Sequence, residues 1–447
     1  MFSRILIANR GEIALRIIRA CRDLDIDTVV VFSEADRNAS YLHLADERIC
    51  IGEAPSADSY LNIPRIIAAA ELADVQAIHP GYGFLSENSH FAEICRSCKI
   101  EFIGPSVATM EAVGDKIQAK KIAVRAGVPI VPGSEGAVED VEQAITIASR
   151  IGYPVGIKAA AGGGGRGIRA VHNEATLRTS FKQAQAEAEV AFGDGRLYLE
   201  KWIQSMRHIE VQVLGDMHGN LIHLFERDCT VQRRRQKLIE ESPSPALTPE
   251  LRAAVCEAAV KICKEAGYYG AGTVEFILDG EDFYFMEVNA RIQVEHPVTE
   301  MLTGIDLVKW QFRVAAGERL TLGQDDVQPR GWAMECRINA EDPDHDFRPS
   351  PGKIESYVPP GGPNVRLDSH VYQGYVIPPT YDSLIGKLIV KGNTRQETIA
   401  IMRRALREFQ IHPIKTTVGL YREIMSDATF HRGQFDTSFV EKYLLAR

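Results

Sequence analysis

A membrane-spanning helix needs roughly 20 consecutive, mainly apolar residues, and no such run occurs in the 447-residue sequence. Met1-Phe2-Ser3-Arg4 leads at once into the apolar Ile5-Leu6-Ile7-Ala8, so no signal peptide is expected. The eight cysteines are scattered, as free thiols in a reducing compartment would be. Their only close pair, Cys95-x-x-Cys98, lies in a helix-like stretch without the second pair that a four-ligand zinc site requires. Positive charge is also short: 51 Lys and Arg against 60 Asp and Glu leave a net −9, which argues against nucleic acid as the main partner. The first strand-to-helix turn, Asn9-Arg10-Gly11-Glu12, has a single glycine, not the three of a dinucleotide fingerprint. No tandem repeat or low-complexity segment is present. These absences leave a cytoplasmic globular enzyme, without membrane or nucleic-acid partners, as the expectation.

What is present fits such an enzyme. The apolar fraction of 45% and charged fraction of 25% are ordinary for a globular chain, and the length accommodates about two to four domains. Over the first hundred residues, strand-like runs (Ile5-Leu6-Ile7-Ala8, Thr28-Val29-Val30-Val31-Phe32, Val75-Gln76-Ala77-Ile78-His79) alternate with helical spacing at 12–24 and 64–72. That rhythm predicts a doubly wound parallel sheet. His79-Pro80-Gly81-Tyr82-Gly83 then follows a strand end, where open α/β sheets place ligands. Asp115 is a candidate N-cap for a helix opening at Lys116.

Further on, a strand ends in Lys158, a loop holding Gly162-Gly163-Gly164-Gly165 follows, and another strand begins. The Gly-Lys-Ser/Thr ending and following helix of a Walker loop are missing. The pattern predicts a glycine-rich hairpin whose backbone amides approach nucleotide phosphates, with Lys158 as counter-charge, on a mobile lid. Arg207 to Leu214 alternates, with His208, Glu210 and Gln212 on one face. The basic run Gln232-Arg233-Arg234-Arg235-Gln236-Lys237 is either a solvated face or an anion site.

The most informative stretch runs from Met286 to Pro297. Read with a period of two, Glu287, Asn289, Arg291, Gln293 and Glu295 share one side of an extended segment. Upstream, Thr273-Val274-Glu275-Phe276-Ile277-Leu278 is a second β-type run, joined through the turn signal Asp279-Gly280. A three-residue loop over 280–282 would pair Asp279 with Phe283 and set Glu275 opposite Glu287. Two facing carboxylates destabilise a bare sheet. A divalent cation between them, with Asn289 as a third oxygen ligand, reverses the sign. A two-residue loop would put the two glutamates on opposite faces. Ala333 to Pro343 alternates as well, with Glu335, Arg337 and Asn339 together.

Taken in order, these motifs resemble the ATP-grasp family, and within it the biotin carboxylase subunits of bacterial-type acetyl-CoA carboxylase. The likeness spans Ile7-Ala8-Asn9-Arg10-Gly11-Glu12, His79 to Asn88, the glycine loop, Glu287 to Pro297 and Glu335-Cys336-Arg337-Ile338-Asn339-Ala340-Glu341. It implies an N-terminal α/β domain (1–114), an ATP-grasp region (115–317) with central antiparallel sheet and a lid at about 132–203, and a mixed α+β C-terminal domain (331–447). It also implies ATP, Mg²⁺ or Mn²⁺, bicarbonate and biotin as reactants and cofactors. Lys116, Lys158, Gly164 and Gly165 would hold phosphates. Glu200, Lys201, Trp202 and Ile203 would line the adenine site, and His208, Gln232 and Arg235 would contact nucleotide. Glu275, Glu287 and Asn289 match metal ligands. Lys237, Arg291, Gln293 and the Val294 backbone match a bicarbonate site, and Glu295 a general base. Arg337 matches a group stabilising the biotin ureido oxyanion, with Tyr82 beside that pocket. Two positions depart from the family pattern: relatives often have His or Asn where Arg235 stands, and a familiar relative has Ser-Gly in place of Ala160-Ala161. No Met-Lys-Met biotinylation triplet occurs. A separate biotin carboxyl carrier protein and separate carboxyltransferase subunits are therefore expected, together with a homodimer through the helix face bearing Arg16, Arg19 and Asp23.

Overall fold

A computed structural model of the chain describes residues 1–160 and 168–445. Gly164 and Gly165 lie outside them. The N-terminal strands form a five-stranded, wholly parallel sheet in the spatial order Glu47–Gly52, Asp27–Ser33, Arg4–Ile7, Ala77–His79, Glu101–Phe102. Ile5, Leu6 and Ile7 are fully buried because helices cover both faces of such a sheet. The strand order reverses between Arg4–Ile7 and Ala77–His79, and the crevice at that reversal is where α/β sheets take ligands. The Asn9 amide ties the two loops there together, donating to Pro80 O at 2.7 Å and Tyr82 O at 2.8 Å.

Three antiparallel strands, Ile168–Val171, Val155–Ala159 and Leu197–Lys201, make a small second sheet packed by the helices Val141–Ile151 and Glu174–Phe192. Apart from three short two-stranded pairs, the remaining described strands form one eight-stranded sheet. Its order is Asp282–Asn289, Gly270–Asp279, Arg207–Gly215, Leu221–Arg233, Gln236–Ser242, Trp332–Asn339, Leu384–Gly392, Val365–Ser369. The C-terminal region thus contributes three of the strands, and its helix Arg395–Glu408 packs on them. Among the described residues no helix is long and apolar enough to cross a membrane.

The hairpin that carries the acidic pair is built differently from the expectation. Its loop has two residues, Gly280 and Glu281, because Asp279 pairs with Asp282 rather than Phe283. Gly280 takes φ +63°, the left-handed geometry that a tight turn asks of glycine. In a regular ladder this loop would carry Glu287 to the wrong face. A β-bulge corrects it: Phe285 pairs with Phe276, Met286 is the extra residue, and Glu287 returns opposite Glu275. A second correction concerns length. The strand ends at Asn289, and Glu295 is the N-cap of the helix His296–Thr303, with Pro297 in its first turn. Residues 290–295 form an irregular passage, not a continued strand, and Ile292, Gln293 and Glu295 are all buried within it.

Candidate active site

Lys237 is the electrostatic centre. It stands just after a hairpin turn whose two residues, Arg234 and Arg235, both have positive φ (47° and 67°). Its ammonium contacts Glu210 Oε2 at 2.5 Å, Glu295 Oε1 at 2.7 Å and Glu275 Oε1 at 3.0 Å. Burial would lower the pKa of this lysine, but the three carboxylates raise it well above its ordinary value. On the far side of Glu210, the fully buried Arg227 donates from Nε at 2.5 Å and reaches Gln212 and Thr299 at 2.7 and 2.8 Å. Burial alone would push the Glu295 carboxyl up. Lys237, Arg337 and Arg227 instead hold it well below the usual carboxylate range.

The irregular passage after Asn289 delivers the remaining polar groups. Arg291 donates to Glu87 Oε2 (2.8 Å), Gln293 Oε1 (2.9 Å) and Asn289 Oδ1 (3.2 Å). Gln293 and Asn289 in turn donate to Glu275 Oε1 at 3.2 and 2.9 Å. Arg337 reaches in from the neighbouring strand and bridges Glu240 Oε1 (2.6 Å) and Glu295 Oε2 (2.9 Å). Tyr82 joins through the N-terminal loops: its hydroxyl donates to Glu12, and Glu12 faces the Lys387 ammonium at 3.1 Å. Lys387 also donates to Val294 O at 2.9 Å, fixing the peptide that precedes Glu295.

Glu275 and Glu287 supply hard oxygen donors from facing positions, with Asn289 two residues on, and this donor set fits Mg²⁺ or Mn²⁺. Their negative charge is met by side chains: Glu275 by Lys237 and His208 (Nε2 at 2.8 Å), Glu287 by Lys116 at 3.3 Å. Among the described His, Cys, Asp and Glu side chains, ligand atoms of His208, Glu210 and Glu275 lie within 4.8 Å of one another, and Glu287 is outside that group.

A second charge cluster lies on the small sheet. Lys120 and Lys158 both pair with the buried Glu200, whose carboxyl burial would raise but the two lysines hold at about 2. The Lys201 ammonium donates to Gly152 O and Tyr153 O at 2.9 and 3.1 Å. Trp202 lies against Gly156, where a Cβ would come within 3.1 Å of its ring; Ile203 follows, half-buried. Gln232 donates to Cys229 O at 3.1 Å and stands 3.4 Å from the His208 ring. Asp115 caps the helix Lys116–Arg125 as expected, accepting from the Ile117 and Gln118 amides at 2.9 Å each. The basic run splits: Arg233 and Arg234 meet Asp346, Arg235 is exposed at the turn, and Lys237 points inward.

Sequence patterns assign no role at the site to Glu12, Lys120, Arg227, Glu240, Thr299 or Lys387. Lys387 carried a signal, a lone lysine within the apolar strand Leu384-Ile385-Gly386-Lys387-Leu388-Ile389-Val390, as did Glu240 beside Leu238-Ile239. The others depend on pairings between distant segments.

Comparison with known proteins bears on the family and fold of the whole chain. Family models match in chain order: biotin carboxylase, N-terminal domain, over residues 1–110; carbamoyl-phosphate synthase L chain, ATP binding domain, over 115–322; and biotin carboxylase C-terminal domain over 335–442. The chain is 59% identical over 442 residues to a biotin carboxylase of a Nostoc species, covering 99% of each. Its structure is similar to the crystal structure of a biotin carboxylase–β,γ-ATP complex from Campylobacter jejuni, with TM-score 0.97, 52% identity and 99% of each chain covered. It is also similar to the biotin carboxylase domain dimer of Hydrogenobacter thermophilus 2-oxoglutarate carboxylase, in complex with MgADP, ADP and bicarbonate. There the TM-score is 0.95 and the identity 52%, over 99% of this chain and 98% of that one. Three family models in register, and relatives more than half identical from end to end, establish that this chain belongs to the biotin carboxylase family.

Proposed function

We propose that the protein carboxylates biotin: MgATP, bicarbonate and biotin give carboxybiotin, ADP and phosphate, the first half-reaction of acetyl-CoA carboxylase. The observation that carries the reading is the clasp of the single carboxylate Glu295 by Lys237 and Arg337, beside an Arg291–Gln293 pair whose Gln293 donates to Glu275. Arg291, Gln293, Lys237 and the Val294 backbone hold bicarbonate. Glu295 takes its proton, and the bicarbonate oxygen attacks the γ-phosphate to give carboxyphosphate. Glu295 is well below neutral while paired, so an arriving anion that draws Lys237 and Arg337 toward itself also makes Glu295 a stronger base. Carboxyphosphate then yields CO₂ and phosphate, and the phosphate removes the biotin N1′ proton. Arg337 stabilises the ureido oxyanion, with Tyr82 beside it.

Lys116, Lys158, Gly164 and Gly165 bind the ATP phosphates, and Glu200 to Ile203 the adenine, with His208, Gln232 and Arg235 as further nucleotide contacts. Glu275, Glu287 and Asn289 hold Mg²⁺ or Mn²⁺, which when bound neutralises phosphate charge. The chain divides functionally at 1–114, 115–317 and 331–447, with the lid at about 132–203. It works in the cytoplasm as a homodimer, with the helix face of Arg16, Arg19 and Asp23 near the interface, and receives biotin on a separate carrier protein that serves carboxyltransferase subunits. The test is phosphate release from MgATP. Free biotin at saturating bicarbonate is expected to raise the rate, and an unchanged rate would overturn the proposal.

A further inference from the structure

Behind Arg337, two adjacent strands bring a pair of carboxyl groups together. Glu240 on Gln236–Ser242 and Glu335 on Trp332–Asn339 are direct register partners. Side chains so paired share a face, with Cβ atoms roughly 5 Å apart. Both residues are wholly buried. Glu240 Oε1 accepts the Arg337 Nε–H at 2.6 Å. The other three oxygens, Glu240 Oε2 and both of Glu335, have no hydrogen-bond donor among the described residues. The charged groups facing the pair are Arg337, Lys387, Lys237 and Glu295; Tyr82, Tyr421, Cys229 and Cys336 are its other titratable neighbours.

Two buried anions in this position, with three unmet acceptors, are expensive. One proton between them removes a charge and converts an acceptor into a donor, as in other paired carboxyl groups. We propose that Glu240 and Glu335 share a single proton and act together as a positioning dyad for Arg337. Glu335 carries the proton and offers it to Glu240, and Glu240 remains the anion that holds Arg337 Nε. This leaves the Nη2 side of the guanidinium, now on Glu295, for the reacting centre. The electrostatics agree. Burial raises Glu240 to about 7 against the pull of Arg337, and raises Glu335 well above the carboxylate range against that of Lys387, so the two titrate as a pair.

The dyad deepens the biotin reading and rests on it for its turnover readout. Loss of the shared proton as pH rises adds a second negative charge behind Arg337 and draws the guanidinium away from the ureido oxygen. Biotin-dependent kcat therefore falls on the alkaline side, while ATP binding, which does not use Arg337, is unaffected. Glu335→Gln keeps a neutral donor and cannot gain that charge. Its alkaline limb, measured as biotin-dependent phosphate release against pH, is expected to move up by about one pH unit or more, with KM for ATP unmoved. Superimposable limbs in the wild type and E335Q would overturn the dyad. Infrared spectra of the wild type near neutral pH provide a measurement that needs no variant. A protonated-carboxyl carbonyl band that shifts in D₂O is expected, and its absence would equally overturn the dyad. A wild type that releases no phosphate in response to biotin would instead sink the reaction proposed above and leave the infrared test standing.

Discussion

Lys237 sets one positive charge against three carboxylates in an interior where water screens little. Removing one partner of such a cluster leaves the others uncompensated, a cost of about 3–5 kcal/mol. Lys237→Met is therefore expected to lower the urea midpoint substantially at neutral pH. The pH dependence has a definite sign. The folded pKa of Glu295 is depressed, with Lys237 the largest opponent of its burial. Its stabilising contribution is thus fully present above the unfolded value of about 4.3 and is lost as pH falls through and below it toward the folded pKa. The stability gap between the wild type and K237M should therefore hold level down to about pH 5 and narrow as pH is lowered from about 5 toward 3. A gap that stayed constant across that range would contradict the role given to Lys237. By local pattern this residue was the end of a basic run, with a solvated face as the alternative, and only the family resemblance made it a bicarbonate ligand. Its partners Glu210, Glu275 and Glu295 come from three segments, and no local pattern specifies that they meet.

At the scale of elements, the hairpin from Gly270 to Asn289 brings Glu275 and Glu287 face to face through a compensation of two irregularities. A tight turn shifts the ladder by one residue and the bulge at Met286 shifts it back. The turn depends on Gly280 at φ +63°, and a Cβ at that position would meet nothing within 4 Å, so conformation alone decides what is tolerated there. Gly280→Ala is expected to cost about 1–2 kcal/mol in urea unfolding. Gly280→Asn should cost less, because asparagine enters the left-handed region more readily. Equal losses in the two variants would mean that the turn is not held in this geometry. The alternation of Glu275, Glu287 and Asn289 and the Asp279-Gly280 turn were legible as period and punctuation. The bulge was not, since an extra residue leaves no composition signal. Beyond Asn289 the period of two persists through Glu295 although the strand does not. There hydrogen bonds, not a sheet face, place the side chains: Arg291 donates to Gln293, and Glu295 accepts from Lys237 and Arg337.

The whole molecule assembles its site from parts that are far apart in sequence. Glu12 comes from the first turn of the helix Gly11–Arg22, Tyr82 and Glu87 from the N-terminal sheet's loops, Lys237 and Glu275 from the middle of the chain, Arg337 and Lys387 from the C-terminal region. The βαβ rhythm of the first hundred residues predicted the parallel sheet, and the ordered motifs predicted the family. That the C-terminal region completes the central sheet was less visible, because strand neighbours 97 residues apart, such as Glu240 and Arg337, share no local signal. Continuity of that sheet has a consequence for any attempt to separate the parts. Gln236–Ser242 is paired by Trp332–Asn339, and Val231, Leu238 and Ile239 are buried among Met334, Cys336 and Leu388. A chain ending at residue 330 would expose those three side chains, at about 1.5–3 kcal/mol each, and leave a bare strand edge. It would also lack Arg337 and Lys387. The expectation is a fragment that aggregates in size-exclusion chromatography and shows no biotin-stimulated phosphate release, even with ATP and bicarbonate saturating. A monodisperse 1–330 fragment responsive to biotin would show that the eight-stranded sheet is not the unit on which the site depends.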